Sequence, residues 1–259
     1  MRPIGYDLTY DDVKFTDIYF SGLALKGSYN SFNRAANSRR SKTPELTNLG
    51  SFEKCWKLKD GKWWMYKKAN HAEMFSELFI YELGLALGFN MAVYERGDGC
   101  IKSLDFTAGA SVNFEPASAF MGDNEDYAEV VKALERICPE AIPDYIRLIF
   151  MDTLCANPDR HTNDFGLLRE VKTGKLLGLA PNYDNNMALI SRGYPSTPKS
   201  GDLLISLFNE LMDEHPEYRK YLPILSEDTV RKVLAKLNMR VKTQVVVDIV
   251  MGRYKLIKK

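Results

Sequence analysis

Asn157-Pro158-Asp159-Arg160-His161-Thr162-Asn163-Asp164-Phe165-Gly166 packs carboxylates, a guanidinium, an imidazole and amides into one short run. It lies between a segment that is apolar nearly all round, residues 142–157 (IPDYIRLIFMDTLCAN), and the β-favouring FGLLREV, so it reads as a loop carrying chemistry. FGLLREV is followed by the turn Lys172-Thr173-Gly174-Lys175 and by LLGLA, which predicts a hairpin running into Pro181-Asn182-Tyr183-Asp184-Asn185-Asn186. A hairpin returns its far end near its start, so Asp159, Asp164 and Asp184 are expected to converge. Phosphoryl transfer uses such a set: one carboxylate to orient an attacking hydroxyl and take its proton, and hard oxygen ligands to hold Mg²⁺ against phosphates. The plain alternative is that Asp159 and Asp164 cap turns, a common use of Asp and Asn in loops.

Bulk properties narrow the field. Thirty-five Lys and Arg against 34 Asp and Glu leave a formal charge of +1 over 259 residues, so no global field steers the chain toward nucleic acid or anionic membrane. A hydrophobic fraction of 45% and a charged fraction of 27% are those of a folded domain and argue against disorder over most of the length. No apolar run approaches the ~20 residues that span a bilayer, and MRPIGYDLTYDD lacks a signal-peptide pattern, so a cytoplasmic location is expected. Cys55, Cys100, Cys138 and Cys155 are widely spaced without CxxC and read as buried thiols. With only His71, His161 and His215, a multi-histidine centre is improbable, and metal chemistry would rest on oxygen ligands.

Outward from the loop, the chain reads as an α+β protein of two lobes. Residues 1–27 hold short β-favouring runs, and 28–51, rich in Ser, Asn, Thr and Arg, read as a long loop. KCWKL and KWWMYKK flank the turn pair Asp60-Gly61, a strong hairpin signal. Met74, Phe75, Leu78, Phe79, Leu83 and Leu87 fall at helical spacing before Gly88. MAVYERG and CIKSLDF predict a further hairpin. A polar stretch covers residues 107–125; beyond it helices are expected in YAEVVKALERIC, in the apolar segment, and near 201–214, 226–238 and 240–252. The expected division is a small β-rich lobe with one helix over 1–106 and a larger, mostly helical lobe over 107–259. On WWMYKK, alternation sends Lys67 and Lys68 to opposite faces, so one of them points into the cleft.

The run DRHTNDFGLL followed by LAPNYDN resembles the catalytic loop and metal-binding turn of HipA-like serine/threonine kinases and, more distantly, the DRHxxN loop of phosphatidylinositol kinases. The resemblance implies a two-lobed protein-kinase-like fold, ATP and Mg²⁺ as cofactors, Asp159 as catalytic base and Asp184 as main metal ligand. His161 would be a structural residue of the loop. The family has Asn five places after the catalytic Asp, where this chain has Asp164 preceded by Asn163; either supplies an oxygen to the metal, and the change alters the charge of the site. By the same resemblance Lys67 would contact the ATP phosphates and Glu77 would hold it, with Glu73 in reserve. Without the resemblance, both glutamates read as a solvated helix face. Asn48-Leu49-Gly50-Ser51 would cradle phosphates by backbone N–H groups, with an ordinary β-turn as the equal alternative.

Residues 101–106 would enter the connection where adenine packs. Ser51 and Ser28, Ser31, Ser38 and Ser41 are candidates for regulatory self-phosphorylation, and Arg34, Arg39, Arg40 and Lys42 read more simply as a solvated loop than as a phosphate, acidic-partner or nucleic-acid site. Arg253, Lys255, Lys258 and Lys259 read as a basic tail suited to a helix C-terminus. The chain is therefore expected to phosphorylate a serine or threonine of a protein substrate. It would be a minimal core without the family's extra amino-terminal subdomain, working beside a separately encoded antitoxin-like partner, with no membrane and no direct nucleic-acid binding. A phosphoinositide or small-molecule kinase and a nucleotide-binding pseudokinase are the alternatives.

Overall fold

The structure, a computed structural model, describes residues 54–108, 111–194 and 201–258. Strands β1 (Lys54–Lys59) and β2 (Lys62–Lys68) form the hairpin that Asp60-Gly61 announces, and both turn residues have positive φ, 51° and 71°. That backbone matches the twist of the flanking strands, and Asp-Gly adopts it at low cost. The two-residue turn fixes the register from Lys59 opposite Lys62 to Lys54 opposite Lys67. Helix α1 (His71–Ala86) starts at a capping box: the Asn70 side chain accepts from the backbone N–H groups of Ala72 and Glu73, and the Glu73 carboxylate accepts from Asn70 N–H. The chain leaves the helix through Gly88 at φ 73°. β3 (Tyr94–Arg96) and β4 (Cys100–Leu104) complete an antiparallel sheet in the order β1-β2-β4-β3.

The stretch read as polar, 107–125, holds a strand and a helical turn: β5 (Val112–Pro116) and α2 (Ser118–Met121). Five residues ending in Pro give too short an alternation to register as a strand. The strand exists because it pairs with β6 (Gly166–Glu170), which pairs in turn with β7 (Leu176–Leu179). β5 is an edge of this second sheet, where proline is tolerated. Four longer helices follow the expected order: α3 (Tyr127–Ile137), α4 (Ile142–Cys155), α5 (Leu203–Glu214) and α6 (Glu227–Leu237); α7 (Thr243–Leu256) ends the described chain's helices.

α4 is buried on every side from Leu148 to Cys155, and its Tyr145, Ile146, Ile149 and Phe150 pack with Val130 and Leu134 of α3, Phe208 of α5 and Val246 and Val250 of α7. Each such side chain stabilises the fold by roughly 1.5–3 kcal/mol. α1 faces two ways. Phe75, Phe79 and Leu83 join this large core, while Met74 and Leu78 pack with Tyr94 and Ile101 of the first sheet and with Ala92 just before β3. The helix carrying Glu77 is thereby fixed between the two parts.

Arg253 and Lys255 lie in the last turn of α7, as expected of basic residues at a helix C-terminus, but Arg253 is not part of an exposed tail. Arg253 is buried inside α7, and its guanidinium donates to both Asp202 oxygens at 2.6 and 2.7 Å, tying α7 to the N-cap of α5. All four cysteines are buried, as the sequence reading expects. Among the described residues no helix is long and apolar enough to cross a membrane.

Candidate functional site

The site lies where β2 and α1 face the end of β7. Lys67 projects to the buried side of β2 and Lys68 to the exposed side, as strand alternation requires. The Lys67 ammonium donates to the Asp184 carboxylate and lies 4.0 Å from Glu77 Oε1. Burial alone would depress the Lys67 pKa, but Asp184 and Glu77 outweigh it and hold it above the ordinary lysine value. For Asp184, burial pushes upward and the Lys67 charge and hydrogen bond, helped by Arg160 and Lys54, pull its carboxyl below the usual range. Glu77 is fully buried. Its Oε2 accepts from Asn185 N–H at 3.0 Å and its Oε1 has no hydrogen-bond partner; desolvation raises its carboxyl to about 7 against the pull of Lys67. Glu73, the reserve for Glu77, is spent on the Asn70 cap.

Asp184 takes a left-handed backbone, φ 57°, which is uncommon for a residue with a side chain. The conformation is held from both sides: Asp184 N–H donates to Tyr94 Oη at 3.0 Å, and just before it Asn182 pairs with Asn90 and Ala92 through backbone hydrogen bonds of 2.9 and 3.0 Å. The strand-end turn of the second sheet is thus sewn to the segment entering the first.

Arg160, to which the sequence reading gave no role, organises the loop. Its guanidinium donates to Asp152 Oδ2 at 2.8 Å and Oδ1 at 3.0 Å, to the carbonyls of Asp164 and Tyr183 at 3.0 and 2.6 Å, and to the side-chain oxygens of Asn182 and Asn185 at 3.2 and 2.8 Å. One buried cation therefore binds the end of α4, the 157–166 loop and the 182–185 turn together. The signal available in the sequence was Asp152 itself, an acid inside an otherwise apolar helix that needs a buried partner.

Asp164 sits near Asp184 and its carboxyl is raised to about 6 by burial and the Asp184 charge, against Arg160 and His161. His161 is exposed, with Nε2 3.2 Å from Asp164 Oδ2. Asn163 faces elsewhere: its amide oxygen accepts from Ser118 Oγ at 2.7 Å and its carbonyl from Tyr183 Oη at 2.7 Å. Asp159 is exposed on the loop, its N–H held by Asn157 Oδ1 at 3.3 Å, and its charge is felt at Asp164. At the end of the first sheet, Phe106, Phe114 and Tyr183 form a ring cluster with centroids 5.5–5.8 Å apart beside Asp184. Asn48, Gly50 and Ser51, with the serines and basic residues of 28–42, lie outside the described residues.

A second lysine also belongs here. Lys54 is directly opposite Lys67 across β1 and β2, and its strongest charge interactions are with Asp184, Lys67 and Asp164. Counting outward from Asp60-Gly61 would have found it, because a two-residue turn fixes which residues oppose.

Among the described residues no group of three or more His, Cys, Asp or Glu is placed to hold a metal. A hard cation here would be held by Asp164 and Asp184, with ligand oxygens and water completing its shell, the usual situation of Mg²⁺ beside phosphates. The donor set fits that group. The charge of Asp184 already helps to lift the Asp164 pKa, and of seven buried side-chain atoms without hydrogen-bond partners among the described residues, four belong to Glu77, Asn182, Asn185 and Asn186, around Asp184.

No protein-family model and no curated protein matches the sequence. Among solved structures, the proinflammatory kinase CtkA of Helicobacter pylori aligns over 79% of this chain and 90% of its own, with a TM-score of 0.58 at 14% identity. The fold is kinase-like. HipA of Shewanella oneidensis MR-1, solved as a toxin–antitoxin complex with HipB and operator DNA, covers 82% of this chain and 65% of its own at 14% identity, with a TM-score of 0.42. The kinase-like fold accounts for a small β-rich part and a larger helical part meeting at Lys67 and Asp184.

Proposed function

We propose that this chain is an ATP- and Mg²⁺-dependent phosphotransferase acting on a serine or threonine hydroxyl of a protein. The observation that carries the reading is the meeting of Lys67, Glu77, Asp164 and Asp184 at one point between the two sheets, with the Asp159 loop stitched to it by Arg160. Structural ion pairs such as Arg253–Asp202 saturate their donors and acceptors. The Lys67 group instead leaves a buried glutamate oxygen unbonded and two carboxylates in mutual repulsion, an arrangement typical of sites that take ligands.

In this reading Asp164 and Asp184 hold the metal. Bound there, Mg²⁺ would offset charge on the phosphate oxygens. Lys67, positioned by Glu77, binds a phosphate oxygen after giving up Asp184. Asp159, at the exposed tip of the loop, orients the acceptor hydroxyl and takes its proton as the new O–P bond forms and the bond from the γ-phosphorus to the leaving diphosphate breaks. The ring cluster of Phe106, Phe114 and Tyr183 offers apolar surface to a base.

The test is transfer of labelled γ-phosphate from MgATP to protein, for wild type, Asp159→Asn and Asp184→Asn, each checked for folding by circular dichroism. Label on protein that falls by at least about 10²-fold in both folded variants is expected. Full activity in Asp184→Asn would overturn the assignment, and label passing to lipid or a small molecule in place of protein would replace the acceptor class.

A further inference from the structure

Two peptide planes meet at the Asp184 Cα, and side chains from three parts of the fold hold them. In the plane before it, the Tyr183 carbonyl accepts from Arg160 at 2.6 Å and the Asp184 N–H donates to Tyr94 Oη at 3.0 Å. In the plane after it, the Asn185 N–H donates to Glu77 Oε2 at 3.0 Å. Peptide planes are rigid, so fixing both sets φ and ψ, and with them the direction in which the carboxylate leaves the backbone. Asp184 holds φ at 57°, a left-handed value that costs free energy in a residue with a side chain and persists only where the surroundings impose it. Arg160 acts from the 157–166 loop and Glu77 from α1, and Tyr94 is the contribution of β3 and hence of the first sheet.

We propose that Tyr94 is a positioning residue for the metal, its hydroxyl holding the Asp184 backbone in the left-handed state from which the carboxylate reaches a divalent cation shared with Asp164; this rests on the metal reading above. The residue suits the task. Its ring is buried, packed with Met74 and Leu78 of α1 and Ile101 of β4 and set edge-on to Tyr81 with centroids 6.0 Å apart, so the hydroxyl is presented from a fixed frame. The acceptor is also neutral. A carboxylate in its place would add a third negative charge beside Glu77 and Asp184, whereas burial and those same two carboxylates hold the phenol well above its ordinary pKa. The backbone bonds that tie Asn182 to Asn90 and Ala92 stop two residues short of Asp184, and Tyr94 carries the attachment across that gap. Without the hydroxyl the preceding plane is held at its carbonyl but not at its N–H. The metal-competent backbone then becomes one state among several, and apparent metal affinity falls in proportion to its population.

Tyr94→Phe removes the hydroxyl and keeps the ring, and Tyr81→Phe, in the ring packed against it, reports what a lost phenol does to packing alone. For wild type and both variants, binding of Mn²⁺, a paramagnetic stand-in for Mg²⁺, is titrated by electron paramagnetic resonance at one fixed ADP concentration. Adenosine binding is measured by calorimetry, and thermal unfolding by circular dichroism with and without Mn²⁺. Tyr94→Phe is expected to stay folded, to bind Mn²⁺ about three- to tenfold more weakly, the worth of one such hydrogen bond, and to bind adenosine as wild type does. By linkage, Mn²⁺ should raise its unfolding temperature less than that of wild type. Tyr81→Phe should match wild type in Mn²⁺ binding. A lower unfolding temperature for Tyr94→Phe with unchanged Mn²⁺ affinity would mark the hydroxyl as structural and overturns this inference alone, as does an equal loss for adenosine or in Tyr81→Phe. Wild-type protein that takes up no Mn²⁺ beyond that held by ADP overturns the metal reading and this inference with it.

Discussion

Replacing Arg160 with methionine tests whether one buried guanidinium holds the site together. The Arg160 and Asp152 side chains are 6% and 2% exposed, so removing the arginine leaves Asp152 as a buried, uncompensated carboxylate. Breaking a buried pair in this way costs about 3–5 kcal/mol. For a chain of this size about 1 kcal/mol lowers the melting temperature by ~2–4 °C, so a fall of roughly 6–20 °C is expected. Urea denaturation monitored by tryptophan fluorescence measures the loss. Most of it comes from the stranded charge, so neutralising the partner should recover part of it. Asp152→Asn keeps an acceptor for the Asn157 amide, which donates to Asp152 Oδ1 at 2.9 Å. The double variant Arg160→Met/Asp152→Asn should then exceed Arg160→Met in stability by at least about 1 kcal/mol. A loss under about 1 kcal/mol in Arg160→Met, or a double variant no better than the single one, would refute the reasoning.

Stability should carry a pH signature of Glu77. Its carboxyl is raised from 4.5 to about 7 in the fold, so the folded state binds the proton more tightly; the resulting stabilisation is complete below about pH 4.5 and is lost as pH rises to about 7. Denaturation profiles of Glu77→Gln against wild type should diverge in the variant's favour across that window and run parallel above it, and parallel profiles throughout would contradict the assignment. Gly166→Ala should destabilise by about 3 kcal/mol or more, because a Cβ there would lie 2.1 Å from the Glu115 carbonyl oxygen and 2.7 Å from the Pro116 Cα, both backbone atoms. A urea midpoint within experimental error of wild type would show that β5 can draw back from β6.

What was legible in the sequence was whatever local chemistry dictates. Asp60-Gly61 fixes its hairpin, Asn70 and Glu73 fix the start of α1, and the apolar run of α4 admits no exposed face. The convergence of Asp164 and Asp184 was visible for the same reason, since a hairpin brings its ends together. β5 was hidden because its stability comes from β6, more than 45 residues away, and five residues carry too little periodicity. Arg253 was misread as part of a tail because burial of a charge depends on a distant partner, here Asp202. Arg160 stands in the most conspicuous stretch of the chain, yet five of its six hydrogen bonds go to Asp152, Asn182, Tyr183 and Asn185, outside that stretch. Lys54 required the register as well as the alternation.

The two buried arginines and the Lys67 cluster show how the fold separates support from chemistry. Arg253 and Arg160 each meet a carboxylate through two hydrogen bonds; these pairs hold α5 to α7 and the 157–166 loop to α4, and further bonds from Arg160 hold the loop to the 182–185 turn. Rigidity is placed around the cleft. Inside it the opposite holds: Lys54 opposes Lys67, Asp164 is lifted by Asp184, Asp184 has a left-handed backbone, and Glu77 keeps a buried oxygen without a bond. Each of these features costs stability in isolation, and local rules broken together at one point are expected where a ligand resolves them. A divalent cation between Asp164 and Asp184 would relieve the repulsion between these two carboxylates.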